Sequence, residues 1–340
     1  MNTKERHITL NLAIGFIALV VLMSLLSDLF AHWFGWDATL NFNLINQPPF
    51  QSRISFLGTN DFGQNILFLV ISGAKYSLGI SFFSALFAGI IGIIIGGVAG
   101  YFGDNSIKVK RYHVISFLVV VLIFWFYTNL GLTMSTLRQS LTAFFLAITL
   151  SLVVWKSLCV SLKKINIFNR SIYLPIDIFN TKFTEIVFAI PSYFIILVFS
   201  SFLGNSMWAI ILVLALTSWP QSALLMRAEL LRIREMNYIN ALKLSGISHI
   251  KILIKHAIPN AISPLLVNFV FFVSGLLIVE STLSYIGIGL SADITTWGKI
   301  ISSFKHNTAN WWVAFFPGII IFLTILSIHK IGSWLEEEKL

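Results

Sequence analysis

The run SFFSALFAGIIGIIIGGVAG, residues 81–100, constrains this chain more than any other feature, because it is apolar on every side and carries no charge. About twenty such residues form a helix long enough to cross roughly 30 Å of hydrocarbon at 1.5 Å per residue. A soluble surface helix would keep a polar face, and a strand of a membrane barrel would alternate apolar and polar over about ten residues. The rest of the chain agrees: 57% of residues are hydrophobic, 11% are charged, and the mean hydropathy is +0.86. The reading is an all-α polytopic membrane protein.

Apolar runs near 8–33, 77–102, 114–133, 141–160, 183–203, 207–226, 264–286 and 312–333 predict about eight spans. The first follows Lys4 and Arg6, as a signal peptide would. Its apolar run is too long for a signal peptide and no small-residue cleavage site follows, so it reads as an uncleaved anchor. With eight spans both termini share a side, and the distribution of Lys and Arg names it. Seventeen basic residues fall on the side of the termini, and five (Arg53, Lys75, Arg138, Lys299, Lys305) fall on the other, with Lys156 near an inner helix end. Both termini are therefore expected in the cytoplasm. The net charge of +9 is then a topology signal and not a nucleic-acid surface, since the basic residues are spread over several loops. Cys159 is the single cysteine, which excludes an intrachain disulfide.

The longest cytoplasmic loop, expected at 227–263, is polar, basic and helically patterned. Met236, Ile239 and Leu242 recur at helical spacing, and Gly246 stands where a left-handed cap would end a short helix. In the second helix Ser248 can cap the start, Ile250, Leu253, Ile254 and Ala257 form an apolar stripe, and Pro259 is expected to stop it. Such a pair suits a lever for a moving partner, or an interfacial element resting on anionic headgroups.

At this loop the sequence resembles a family. Ala241, Gly246, Ile258-Pro259-Asn260 and Pro264 look like the "EAA" loop of ABC importer permeases. LGTNDFGQNIL at 57–67 and SGAKYSLGIS at 72–81 resemble signatures of the permeases for dipeptides, oligopeptides and nickel. So do GIIGIIIGGVAGYFG at 89–103, IVESTLSYIGIGL at 278–290 with Trp297-Gly298, and WWVAFFPGIII at 311–321. The resemblance covers about 56–103 and 178–333. It implies a six-helix type I permease core, here with an extra two-helix insertion, in the bacterial inner membrane. It also implies a homologous permease partner, two ABC ATPases that bind the ATP, an external substrate-binding protein, and no cofactor on this chain itself. The absence of a G-x4-G-K-[ST] phosphate cradle agrees with ATP hydrolysis on a partner. By the same resemblance the coupling residues are Met236, Ile239, Asn240, Ala241, Leu242, Gly246, Ile258 and Pro259, with Met236, Ile239 and Leu242 as knobs for the ATPase. The outer-loop motif is Gly58, Thr59, Asp61 and Gly63, which an ordinary structured loop would also explain.

The chain departs from the family pattern in three places. Asn240 stands where the loop's Glu is usual and Leu242 where its second Ala is; Asn60, Gln64 and Asn65 replace the usual Asp, Arg and Asp. A two-span insertion at 106–176 would return the chain to the side it left, keeping every later loop in place. The organisation is then 1–55 anchor and outer loop, 56–105 outer motif and second span, 106–176 hairpin, 177–333 core, and 334–340 tail. Glu280, late in the seventh span, is a candidate for the translocation path or for a bond to a neighbouring helix end. His249 and His256 show no metal-ligand spacing. Two other classes stay open: an ion-coupled secondary transporter using Glu280, against which no internal repeat is visible, and a membrane enzyme, for which no acid–base or nucleophile constellation is visible.

Overall fold

The computed structural model describes residues 3–34, 42–51, 55–132, 137–203, 206–288, 290–291 and 293–339. The helices are α1 Thr3–Leu25, α2 Ser27–Phe34, α3 Ile66–Phe102, α4 Arg111–Leu132, α5 Leu137–Lys163, α6 Ile176–Ala189, α7 Ser192–Leu203, α8 Met207–Arg234, α9 Asn237–Leu244, α10 His249–Ile252, α11 Ile258–Ile286, α12 Trp297–Ser302 and α13 Trp311–Lys339. Two short strands, β1 Lys108–Lys110 and β2 Ser171–Tyr173, pair antiparallel. Among the described residues seven helices are long and apolar enough to cross a membrane, and α6 with α7 would make an eighth span bent by 78°. The all-α polytopic architecture is as expected from the apolar runs. Arg53, assigned to the outer side by charge, lies outside the described residues.

The fifth run, expected as one span over 183–203, is broken between α6 and α7. Pro191 lies in the break; it has no N–H to donate and forces its predecessor out of the helical region. Helix directions show that the pair still counts as one crossing. Gly92, Gly96 and Gly100 of α3 sit against Ser222, Ala223 and Arg227 of α8 in the same order, so the two helices run parallel. Between them the chain makes the α4–α5 hairpin, whose contacts run antiparallel: His113 lies against Cys159, and Phe124 against Phe144. The ribbon closes the hairpin where it opened, so α6 and α7 together must supply the crossing that lets α8 repeat the direction of α3. Arg6 of α1 and Glu337 of α13 form an ion pair at 2.7 Å, which places the two chain ends together, as an even number of crossings requires.

The chain divides into two compact units, residues 1–101 with 181–340, and residues 102–180. In the first, the glycine seam lets α3 and α8 approach to backbone contact. A Cβ on Gly96 would stand 2.1 Å from the Ala223 carbonyl oxygen, and one on Gly100 2.6 Å from that of Arg227. Close approach of this kind is how membrane helices gain dispersion energy without a hydrophobic driving force between them. Beside the seam, Ile66, Leu69, Val70 and Leu277 enclose Trp297, whose indole N–H donates to the Val70 carbonyl at 2.8 Å. This packing explains why α3 starts at Ile66 and not near residue 77. Its first turns are buried under Trp297 and Trp312, and Asn65 caps them by accepting from the Leu67 N–H at 2.9 Å.

The second unit is the α4–α5 hairpin. Leu122, Trp125, Leu152 and Val153 are each more than 60% exposed, the mark of helices that face lipid and not a core.

Candidate functional site

The expected loop at 227–263 is mostly helix. Residues 227–234 continue α8, α9 follows after a turn, and Gly246 takes φ +75° at the end of α9, as a left-handed cap requires. Ser248 has the backbone of an N-cap but makes no side-chain capping bond. Pro259 does not stop a helix, contrary to the sequence reading. From His249 the chain stays helical to Ile286, and the turns at Leu253–Ala257 widen to π geometry just before the proline. A wider turn moves the preceding carbonyls clear of the proline ring, so the helix passes through.

The apolar positions of this segment divide into two faces. Ile239, Ile252 and Ala257 are fully buried, and Leu253 nearly so. Ile239 therefore cannot be a knob for a partner: it points into the protein's own helices, and helical spacing alone could not tell inward from outward. The outward face carries Leu244, 90% exposed, with Ile250 and Ile254, and includes exposed Asn240, Ala241 and Gly246. Met236 and Leu242 are half-buried between the two faces. Leu244 was missed because it lies outside the periodic stripe; its signal was a bulky apolar residue two positions before a glycine cap.

Two hydrogen bonds tie this segment to the spans. Asn260, in the first turn of α11, donates from Nδ2 to the Tyr238 hydroxyl of α9 at 3.0 Å and to the His256 carbonyl at 2.8 Å. The Tyr101 hydroxyl near the end of α3 lies 3.4 Å from Nδ1 of His249 in α10. The first bond joins α9 to α11, and the second joins α10 to α3.

A cleft opens beside the same helices. A cavity of about 570 Å³ is lined by Arg232, Asn260, Ser263, Asn268, Phe271 and Glu336, among others. A second, of about 360 Å³, shares Asn268 and Phe271 with it and adds Ser192, Tyr193, Ser218 and Gln221. Amide and hydroxyl side chains from α7, α8 and α11 thus meet in one groove between apolar helices. No sequence pattern singled them out.

Glu280 is placed differently. It is 1% exposed, accepts from Ser284 Oγ at 2.7 Å and Ser281 Oγ at 3.4 Å, and lies near the hydroxyls of Ser77 and Thr296. Ser77 Oγ in turn accepts from the Trp297 N–H at 3.1 Å. The carboxyl group sits where α3, α11 and the start of α12 meet. Gly298 allows that meeting, since a Cβ there would stand 2.1 Å from the Ser281 carbonyl oxygen.

The outer-loop motif is a hydrogen-bonded knot. Gly58 and Gly63 take positive φ (+83° and +71°), and Thr59 accepts from the Gln47 N–H at 2.9 Å and donates to the Leu44 carbonyl. The Trp312 indole donates to the Thr59 carbonyl at 2.9 Å, and Asn310 donates to Asp61 at 3.0 Å. Asn60 and Gln64, two of the three departures from the charged family pattern, bond each other at 2.9 Å. Neutral amides thus make a local pair within the loop. Phe50, Phe56 and Phe62 project from it, 67%, 52% and 48% exposed. Beyond it, Lys299 donates to the carbonyls of Ser291 at 3.1 Å and Ile294 at 2.9 Å; burial pushes its ammonium below the usual lysine range, and nearby Asp293 opposes the shift.

A family model described as binding-protein-dependent transport system inner membrane component matches residues 170–337, the stretch from the start of β2 to near the end of α13. A Brucella suis protein named as a peptide transport system permease is 31% identical over 166 residues, 48% of this chain and 56% of that protein. The chain therefore spans little more than half the length of that relative. The oligopeptide transport system permease protein OppC of Bacillus subtilis is 22% identical over 322 residues, 94% of this chain and 81% of its own. The dipeptide transport system permease protein DppC of Alkalihalophilus pseudofirmus is 22% identical over 326 residues, 95% and 84% of the two chains. Residues 170–337, which hold the bent pair, the short helices α9 and α10, the polar groove and Glu280, are the part of the chain that matches the binding-protein-dependent transport system inner membrane components.

Proposed function

We propose that this chain is a transmembrane permease subunit of an ATP-driven importer, with a separate ATPase docking on the outward face of α9 and α10. The observation that carries this reading is the exposed Leu244–Ile250–Ile254 face on helices bonded to α11 through Tyr238–Asn260 and to α3 through His249–Tyr101. A partner changes the conformation of such a bundle only by making different contacts in its two states, and these bonds carry the difference inward. The excess of Lys and Arg on the side of the chain ends supports a cytoplasmic location for both termini and for α9. Asn240, without the charge of the usual Glu, leaves apolar contact and backbone groups to hold the ATPase.

The path for the solute runs along the groove of Ser192, Tyr193, Ser218, Gln221 and Asn268, completed by a homologous permease against the exposed faces of α6 and α7. Uncharged amides and hydroxyls suit a peptide backbone, the cargo named for the relatives, and nickel or another small solute is the alternative. The enclosure of Glu280 by four hydroxyls of its own chain supports a bracing role, and it weighs against the ion-coupled reading that would need this carboxylate to exchange an ion. An external binding protein would meet the outer knot, where Phe50, Phe56 and Phe62 offer apolar anchors. The test is affinity purification of the complex in mild detergent from wild type and from Leu244→Asp. Recovery of a P-loop ATPase with wild type and its loss from a still-folded variant is the expected result. ATP-independent transport by the purified chain alone would overturn the reading.

A further inference from the structure

Residues 105–176 contain eight Lys and Arg and no Asp or Glu, although the whole chain has 23 basic and 14 acidic residues. The only carboxylates of the second unit, Asp104 and Asp177, lie at its margins, and Asp104 is engaged by the Ile178 N–H at 3.0 Å. Folding gathers this charge. The β1–β2 ribbon sets Lys108 opposite Tyr173 and Lys110 opposite Ser171, and the Arg111 N–H donates to the Arg170 carbonyl at 3.1 Å. Two arginines are thus held side by side, next to the end of α5 with Lys163 and Lys164, and Arg111, Lys163, Lys164 and Arg170 are all exposed. Among the described residues no carboxylate pairs with any of these four. Like charges brought together cost free energy unless an anion lies between them.

We propose that this end of the hairpin binds the headgroups of anionic phospholipids, and that the hairpin anchors the protein to them. The surroundings favour a lipid over an acidic protein or a free anion. Immediately beyond the basic collar the hairpin presents a wall of exposed apolar side chains, with Val160 62% and Val153 66% exposed on α5. Lys156, about two turns before Lys163 on α5, is exposed within that wall and can extend its ammonium toward the headgroups. Ile165 and Ile167, 46% and 63% exposed in the connection between α5 and β2, are placed to enter the interface beside the charges. Acyl chains along the wall and a phosphate at the paired arginines match one amphipathic molecule, and clustered Lys and Arg next to a span recognise such headgroups.

The full chain in neutral detergent would be titrated with phosphatidylglycerol and with phosphatidylcholine of the same acyl chains, and bound lipid counted by native mass spectrometry. Wild type is expected to prefer phosphatidylglycerol by about tenfold, a preference that weakens with salt. Arg111→Gln/Arg170→Gln should bring it below about twofold, and Lys163→Gln/Lys164→Gln, which leaves the ribbon intact, should lower it severalfold. Lys243→Gln/Lys255→Gln, on the other unit, should change nothing. Equal binding of both lipids by wild type would overturn the proposal. So would a preference that survives both hairpin variants, or full displacement of the lipid by millimolar inorganic phosphate.

Discussion

Helices α3 and α8 in the first unit and α4 and α5 in the second are all long and apolar enough to cross a membrane, yet they are built for different neighbours. The α3–α8 pair meets through Gly92, Gly96 and Gly100 at backbone contact, and two-thirds of the apolar window of α8 is buried. The hairpin helices meet through bulky rings, Phe117 with Trp155 and Phe124 with Phe144, and 11% of each apolar window is buried. Small residues let one helix use another as its solvent; large ones leave the lipid in that role. The same division runs through the rest of the molecule: α9 and α10, the polar groove and Glu280 all belong to the glycine-seamed unit, and the hairpin carries basic charge that no carboxylate pairs among the described residues.

The comparison breaks most readily at the seam. Gly96→Leu would drive a side chain into the Ala223 carbonyl, and a loss of at least about 3 kcal/mol is expected, seen as failure to elute as a monodisperse species after detergent extraction. On the hairpin, Leu152→Ala removes an exposed side chain and should change the unfolding free energy by no more than about 0.5 kcal/mol. Equal effects at the two sites would dissolve the distinction.

Within the first unit the two faces of α9 should separate next. Ile239→Asp buries a charge and should cost about 3 kcal/mol or more in thermal unfolding, whereas Leu244→Asp should leave unfolding unchanged and abolish ATPase co-purification. Asn260→Ala removes the bond to Tyr238; the ATPase should still bind, while transport falls severalfold relative to ATP hydrolysis. Glu280→Gln keeps the shape but loses acceptor strength toward four hydroxyls. A cost of about 1–2 kcal/mol with uptake retained is expected, and abolished uptake at normal stability would return Glu280 to the translocation path.

The smallest stability effect is expected from the largest change. Leu174 N–H donates to the Ile107 carbonyl at 3.0 Å, so the hairpin can be removed between these residues and the chain rejoined. The shortened protein should extract and unfold like wild type by fluorescence-detected gel filtration. Collapse of its elution profile would show that the hairpin is integral to the first unit.

Hydropathy alone determined the helical class and the approximate number of spans, because about 30 Å of hydrocarbon sets the length of any crossing and leaves backbone groups no partner but their own helix. The turn at Gly246 was equally legible, since a left-handed cap selects the one residue without a Cβ. Which side of a helix faces inward was not. In the spans, apolar residues on every face carry no periodic signal, and in α9 helical spacing marks an apolar face without saying what covers it, so the burial of Ile239, the exposure of Leu244 and the meeting of Ser218, Gln221 and Asn268 in one groove were decided by packing. The passage of the helix through Pro259 and the break beside Pro191 show the same division. A proline names a missing hydrogen bond, but only the surrounding fold decides whether a widened turn absorbs it or the helix bends.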